Sequence, residues 1–178
     1  CPAEQLENPV WHIHSAKPPV PEAGISYAIL LNLASVCNTE DPSVLWGFIT
    51  RYAPSTSPES APSLDKLVEL AINYYLTFVK PEKRYRRPDS TEESALQDLV
   101  VALEALPGDA TAEDIQTEIY EIGKHHSFEN LRDWFKALYQ LLLGQEQGPR
   151  MGSFIALYGI SETVILIRRV LAGEDLAA

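Results

Sequence analysis

Apolar residues along this chain recur every three or four positions in one segment after another, the rhythm of helices that bury one face, and no segment keeps the strict alternation of a half-buried strand. Ile25, Ile29, Leu33 and Val36 make one such stripe within 22–37. Asp41 followed by Pro42 reads as an N-cap and a first-turn proline, opening a helix through Tyr52. The loop APSTSPESAPS follows. A helix starting near Ser63 then runs to Lys80 on Leu64, Leu67, Leu70, Ala71, Tyr74 and Phe78, and Pro81 stops it.

The second half repeats the pattern. Ser90 with Glu93 three residues on predicts a capping box for a helix to about Leu106, and PGDA breaks it. Thr111 with Asp114 opens the next helix, through Ile115, Ile119 and Ile122 to about His125. Ser127 is the expected cap of the one after, in which Phe128, Leu131, Phe135, Leu138 and Leu142 keep helical spacing up to Gly144. Pro149 fits the first position of a further helix. Residues 1–21 hold Pro2, Pro9, Pro18, Pro19 and Pro21, which favour an extended arm. The expectation is an all-α fold, a multi-helix bundle or cage of seven or eight helices behind that arm. One helical half covers 22–80 and a second 90–173; both halves could also share one core.

A chain of 178 residues is large enough to bury a core without disulfide or metal. Its two cysteines, Cys1 and Cys37, show neither pairing nor zinc spacing. The apolar run YAILLNLASVC is too short to span a bilayer and is broken by Asn32. These features fit a soluble protein of a reducing, cytoplasmic compartment. The net charge of −11 argues against indiscriminate nucleic-acid binding, which draws its affinity from neutralised phosphates. The charge is unevenly spread, however. KPEKRYRR, from Lys80 to Arg87, holds five cations and one anion.

Candidate chemistry is sparse. His12 and His14 in WHIHSAKPP lack the further ligands of a zinc site, and Ser15 stands where a nucleotidyl-transferase HxGH motif needs histidine. His125 and His126 sit at a predicted helix C-terminus, where cations meet the dipole favourably. No nucleophile elbow, phosphate-binding glycine loop or cysteine with a base occurs, so catalysis by this chain alone is not expected. Two stretches suit polyanion contact. In the basic linker, Arg84, Arg86 and Arg87 flank Tyr85, a pairing of phosphate contacts with base stacking that could equally be a solvated linker. In GQEQGPRMGSF, Gln145 and Gln147 offer amides for edge recognition, Arg150 a guanidinium, and Gly152 and Ser153 an unobstructed helix N-terminus that attracts anions. Arg132 and Lys136, one turn apart, point a cationic track toward this loop.

NPVWHIH, ISYAILLNLASVCNTEDPSVLWGFITRYAP and LRDWFKALYQLLLGQEQGPRMGSFIALYGI resemble the C-terminal part of class I lysyl-tRNA synthetases, particularly bacterial ones. The resemblance runs from about Asn8 to about Ala172. It implies the end of a helical connecting region and an α-helical anticodon-binding cage similar to that of glutamyl-tRNA synthetases. Such enzymes join lysine to its tRNA using ATP, on a catalytic domain whose motifs are absent here, so no cofactor contact is expected in this chain and ATP belongs to that other domain. The implied partners are the anticodon stem-loop of the lysine tRNA and the catalytic domain, with neither DNA nor membrane. The resemblance makes GQEQGPRMGSF the preferred anticodon-proximal element without assigning a role to any side chain; by the chemistry of single-stranded RNA recognition, Arg150, Gln145, Gln147, Trp134, Lys136 and Arg132 are the expected RNA-facing residues. The rival is a helical protein-interaction module without RNA, favoured by the negative net charge. A positive concave patch would favour the first, a broad exposed apolar patch the second.

Overall fold

The computed structural model describes residues 24–126, 128–174 and 176, and the expected arm of residues 1–21 lies outside them. Eight α-helices follow one another in the described chain, without a strand: α1 Tyr27–Cys37, α2 Pro42–Tyr52, α3 Pro62–Tyr74, α4 Ser90–Ala105, α5 Ala112–His125, α6 Leu131–Leu138, α7 Met151–Tyr158 and α8 Ile160–Leu171. Among the described residues no helix is long and apolar enough to cross a membrane.

Local chemistry sets the helix ends. The Asp41 carboxylate accepts from the Ser43 N–H at 2.8 Å ahead of Pro42. Thr111 and Asp114 form the expected reciprocal box. The α4 box sits one residue earlier than expected: Asp89 accepts from the N–H groups of Thr91 and Glu92, and the Glu92 carboxylate accepts from the Asp89 N–H. Either register places an acceptor three residues before a glutamate; Glu92 prevails because it is also the buried partner of Arg86. Ser127 lies outside the described residues. Helix α6 begins at Leu131, with Asn130 accepting from the Asp133 N–H.

The α3 stripe falls differently from the expectation. Leu64, Val68, Ala71, Ile72 and Tyr75 face inward at clean helical spacing, whereas Leu70, Tyr74 and Phe78 are exposed. Two apolar stripes run along this segment, and packing of α3 on α1 selects between them. After Tyr74 the helix widens into a π-helical turn, Tyr75–Val79, which buries Tyr75, and a 3-10 turn, Lys80–Glu82, closes it at Pro81.

Burial builds two apolar clusters. One joins α1, α2 and α3 through Leu30, Leu33, Leu45, Ile49, Val68 and Tyr75; the other joins α4 to α8 through Leu96, Leu99, Ile119, Trp134, Leu138 and Phe154. Helix α7 ties them together. It packs against α5, α1, α2 and α8, and its Leu157 is buried in the first cluster. Gly152 permits the closest approach, because a Cβ there would run into the Ala112 carbonyl oxygen and the Gln116 backbone and side chain of α5.

Candidate nucleic-acid interface

Helix α6 ends in its own π-helical turn, Tyr139–Leu143, and Gly144 reverses the chain at φ 66°. A Cβ on Gly144 would press on the ring of Tyr85, about 3.1 Å away. Both the left-handed backbone and this contact call for glycine. The Arg84 N–H donates to the Gly144 carbonyl at 2.9 Å. The basic linker and the glutamine loop, some sixty residues apart in sequence, are thereby joined backbone to backbone.

Beside this junction lies a groove of about 900 Å³ whose walls include Tyr74, Phe78, Lys83, Arg84, Gln140 and Gln147. Lys83 is half-buried. Its ammonium donates to the Ser35 carbonyl at 2.8 Å and stands 5.0 Å from the Tyr85 ring centre and 5.7 Å from that of Tyr75. Burial pulls its pKa down to about 8, Lys80 adds to the depression and Cys37 opposes it. Burial also pushes the Cys37 thiol up to about 12 and raises the Tyr85 phenol.

One wall is a chain of polar contacts. The buried Glu92 holds Arg86 by two bonds of 2.6 Å, Arg86 donates to Gln140 Oε1 at 2.7 Å, Gln140 donates to Glu146 at 2.7 Å, and Glu146 meets Lys136 at 2.7 Å. The cations Lys136 and Arg86 are therefore already paired. Arg84, exposed, rests its guanidinium on the carbonyls of Pro81 and Lys83 and leaves its remaining donors on the groove. Arg87 is exposed and lines a separate cavity of about 270 Å³ with Val170 and Glu174.

The two glutamines part company. Gln145 donates to Asn32 Oδ1 and Ser35 Oγ of α1, both at 3.2 Å, and so fastens the loop to the first cluster. Gln147 is exposed on the groove and makes no side-chain hydrogen bond among the described residues.

Other expected site residues lie elsewhere. Pro149 is buried before the helix, which starts at Met151 with Arg150 as its cap residue. The N-terminus of α7 is not open: the buried Gly152 N–H donates to Gln116 Oε1 at 2.8 Å, and Ser153 lies half-buried beside it. Arg150 spans to Glu113 of α5 with two contacts of 2.7 Å. Trp134 has no exposed surface and donates to the Ile119 carbonyl at 3.0 Å, so its ring is core and cannot stack on a base. Arg132 is exposed, without an ion pair among the described residues, and is not part of the groove. His126 meets Asp98 at 2.9 Å and His125 contacts the Glu121 carbonyl, while His12 and His14 lie outside the described residues. Among the described residues no group of three or more potential ligands could hold a metal ion.

Sequence reasoning missed Tyr74, Phe78, Lys83 and Gln140. The available signal was the doubled apolar positions at 74/75 and 78/79, which a single inward stripe cannot accommodate.

Comparison with known proteins adds a second line of observation. The chain is 53% identical over 169 residues to a lysine–tRNA ligase of Rickettsia bellii, a match covering 94% of the chain and 32% of that protein. It is 51% identical over 166 residues to the lysine–tRNA ligase of Rickettsia felis, covering 93% of the chain and 32% of that protein. With the lysine–tRNA ligase of Roseobacter denitrificans the identity is 49% over 175 residues, covering 98% and 33%. The chain thus spans about a third of the length of the curated relatives it matches. No protein-family model matches it, and neither does any solved structure.

Proposed function

We propose that this chain is the anticodon-binding region of a class I lysine–tRNA ligase and that the groove between the basic linker and the glutamine loop receives the anticodon stem-loop of the lysine tRNA. The observation that carries the reading is the union of two separate sequence features, Arg84 and Gly144 bonded backbone to backbone, around one groove that presents cations, a free amide and exposed aromatic rings together. Sequence-specific RNA recognition works on unpaired bases and needs those three kinds of group: positive charge for phosphates, π-faces for stacking and amides for base edges. Similarity to a third of several proteins named lysine–tRNA ligase supports the same assignment.

On this reading lysine activation and ATP binding belong to the remaining two thirds of the enzyme, and this chain selects the tRNA. Lys83, Arg84 and Arg86 gather along the groove with Glu82 and Glu146 on a chain of net charge −11, and with Arg86 held by Glu92 it is Arg84 and Lys83 that are left to meet phosphate. The test is a titration of the chain, at fixed low salt, with lysine tRNA and with the same tRNA altered in its anticodon. Tighter binding of the unaltered tRNA is expected; equal affinity for both would reduce the groove to an electrostatic holder.

A further inference from the structure

We infer that Tyr74 and Phe78 form a stacking platform for one unpaired nucleobase at the mouth of the groove, an assignment that rests on reading the groove as an RNA site. The two rings are one turn apart with centres 4.9 Å from each other and planes inclined by 40°. They are 46% and 57% exposed, an unusual degree for neighbouring large aromatics in a chain whose other rings are mostly packed. Their exposure has a structural origin. The π-helical turn that begins at Tyr75 sends that side chain into the core, where its hydroxyl donates to Asn38 at 2.5 Å, and leaves the flanking Tyr74 and Phe78 outside. Such single π-helical turns recur at functional sites because they re-aim side chains.

The surroundings select the occupant. An apolar peptide could cover the rings, but it would have to bury the exposed guanidinium of Arg84 beside the half-buried Lys83 in the same groove, at a desolvation cost it cannot offset. A nucleotide satisfies both halves of the site: its base stacks on one of the two inclined rings, against the edge of the other, while its phosphate meets Arg84 and Lys83. A duplex keeps its bases stacked inside, so the ligand is single-stranded RNA, as in a hairpin loop. Stacking accepts any base, since every base has a π-face. The platform therefore supplies affinity, and discrimination falls to Gln147 beyond it.

The experiment uses the whole chain, a short RNA hairpin carrying the lysine anticodon, a hairpin with an altered anticodon and a fully paired duplex. Binding is read by anisotropy and by the fluorescence of 2-aminopurine placed in the loop. For the double variant Tyr74→Leu/Phe78→Leu, affinity should fall roughly tenfold for both hairpins alike, given the usual strength of base–aromatic stacking. Quenching of the 2-aminopurine should disappear, the salt dependence should stay unchanged because no phosphate contact is lost, and an unaltered melting curve confirms the fold. Unchanged hairpin affinity in the double variant, with Arg84→Ala still weakening it, would overturn the platform and spare the groove. No hairpin binding by the unmodified chain, or equal binding of the duplex, would overturn both.

Discussion

The two ends of the segment that leads from α6 into α7 each carry a glycine beside hydrogen-bonding side chains and differ in what surrounds them. Gly144 to Gln147 opens on the groove, with the Gln147 amide free; Arg150 to Ser153 lies against α5, with a buried N–H already bonded to Gln116 and the guanidinium already paired with Glu113. A helix N-terminus attracts anions because its first N–H groups lack partners. Once a neighbouring helix supplies an amide oxygen and a carboxylate, the attraction is spent inside the protein. A glycine at such a position then marks a helix–helix approach rather than a ligand's. The residues of a motif thus say less than the element packed behind them.

The largest effect that separates the two ends is predicted for Gly152. Alanine there would gain up to about 1 kcal/mol of helix propensity over glycine. Its methyl, however, meets the backbone carbonyl of Ala112, which cannot move without parting α7 from α5. Overpacking of this kind costs roughly 1–3 kcal/mol, so Gly152→Ala should lower the melting temperature by several degrees. Gly47→Ala is the control: Gly47 lies inside α2 with open space around it, and the same methyl should leave stability unchanged or raise it. If the two variants melt alike, the contact between α5 and α7 is not tight.

Second in size is Gln147→Ala at the other end. An amide that contacts a base edge contributes roughly 1–3 kcal/mol of discrimination, so preference for the lysine anticodon over an altered one should drop about tenfold with the melting curve untouched. Gln145→Ala should do the converse, because it removes bonds to Asn32 and Ser35 that hold the loop to α1. Measuring stability and anticodon preference on both variants tests the division between them directly; swapped outcomes would reverse the assignment of the glutamines.

How far these distinctions were legible beforehand follows from the range of each signal. The all-helical class and the caps at Asp41 and Thr111 depend on residues within one turn and read correctly, and the cap at Asp89 within a residue; the starts of α1 and α6 and the break at Gly159 between α7 and α8, which packing decides, did not. The inward face of α3 depends on its partner: Leu67, Leu70, Tyr74 and Phe78 make as good an apolar stripe as Leu64, Val68, Ala71 and Tyr75 until α1 is in place. Trp134 illustrates the same limit, since an indole beside Arg132 and Lys136 suits an RNA surface or a core equally well. The meeting of Arg84 with Gly144 was beyond any local signal, although both flanking stretches carried suitable chemistry.

A smaller effect is expected from Lys83, which lines the groove beside Tyr85. Its pKa is about 8 in the folded chain, against roughly 10.4 for an unfolded lysine. Between those values the unfolded state holds a proton that the folded state lacks, so the Lys83 contribution to stability rises with pH. Below about pH 8 the cost of burying the charge is fully present. Cys37 and Tyr158, both raised to about 12 by burial, act in the opposite sense at higher pH, and subtracting a variant removes what the two chains share. The stability of the unmodified chain minus that of Lys83→Met should therefore be more favourable at pH 9.5 than at pH 7. A difference independent of pH would mean that Lys83 keeps an ordinary pKa.

The smallest effect is predicted for the residue with the most conspicuous chemistry. Arg150 contacts Glu113 through one guanidinium nitrogen at 2.7 Å to each carboxylate oxygen, but its side chain is 50% exposed and that of Glu113 72%. Exposed pairs contribute about 0–1 kcal/mol, since water screens the attraction and two long side chains must be held still. Arg150→Ala should accordingly lower stability by less than about 1 kcal/mol, and the loss should shrink further at high salt. Arg150 does not line the groove, so the ratio of affinities for lysine and altered anticodons should stay as it is. If that ratio collapses while the melting curve holds, Arg150 leaves Glu113 to contact RNA, and the Arg150 to Ser153 end joins the interface. Glu113→Gln then separates the remaining possibilities: weakening the pair in the free chain would release the guanidinium and tighten RNA binding if Arg150 moves, and would change nothing if it stays.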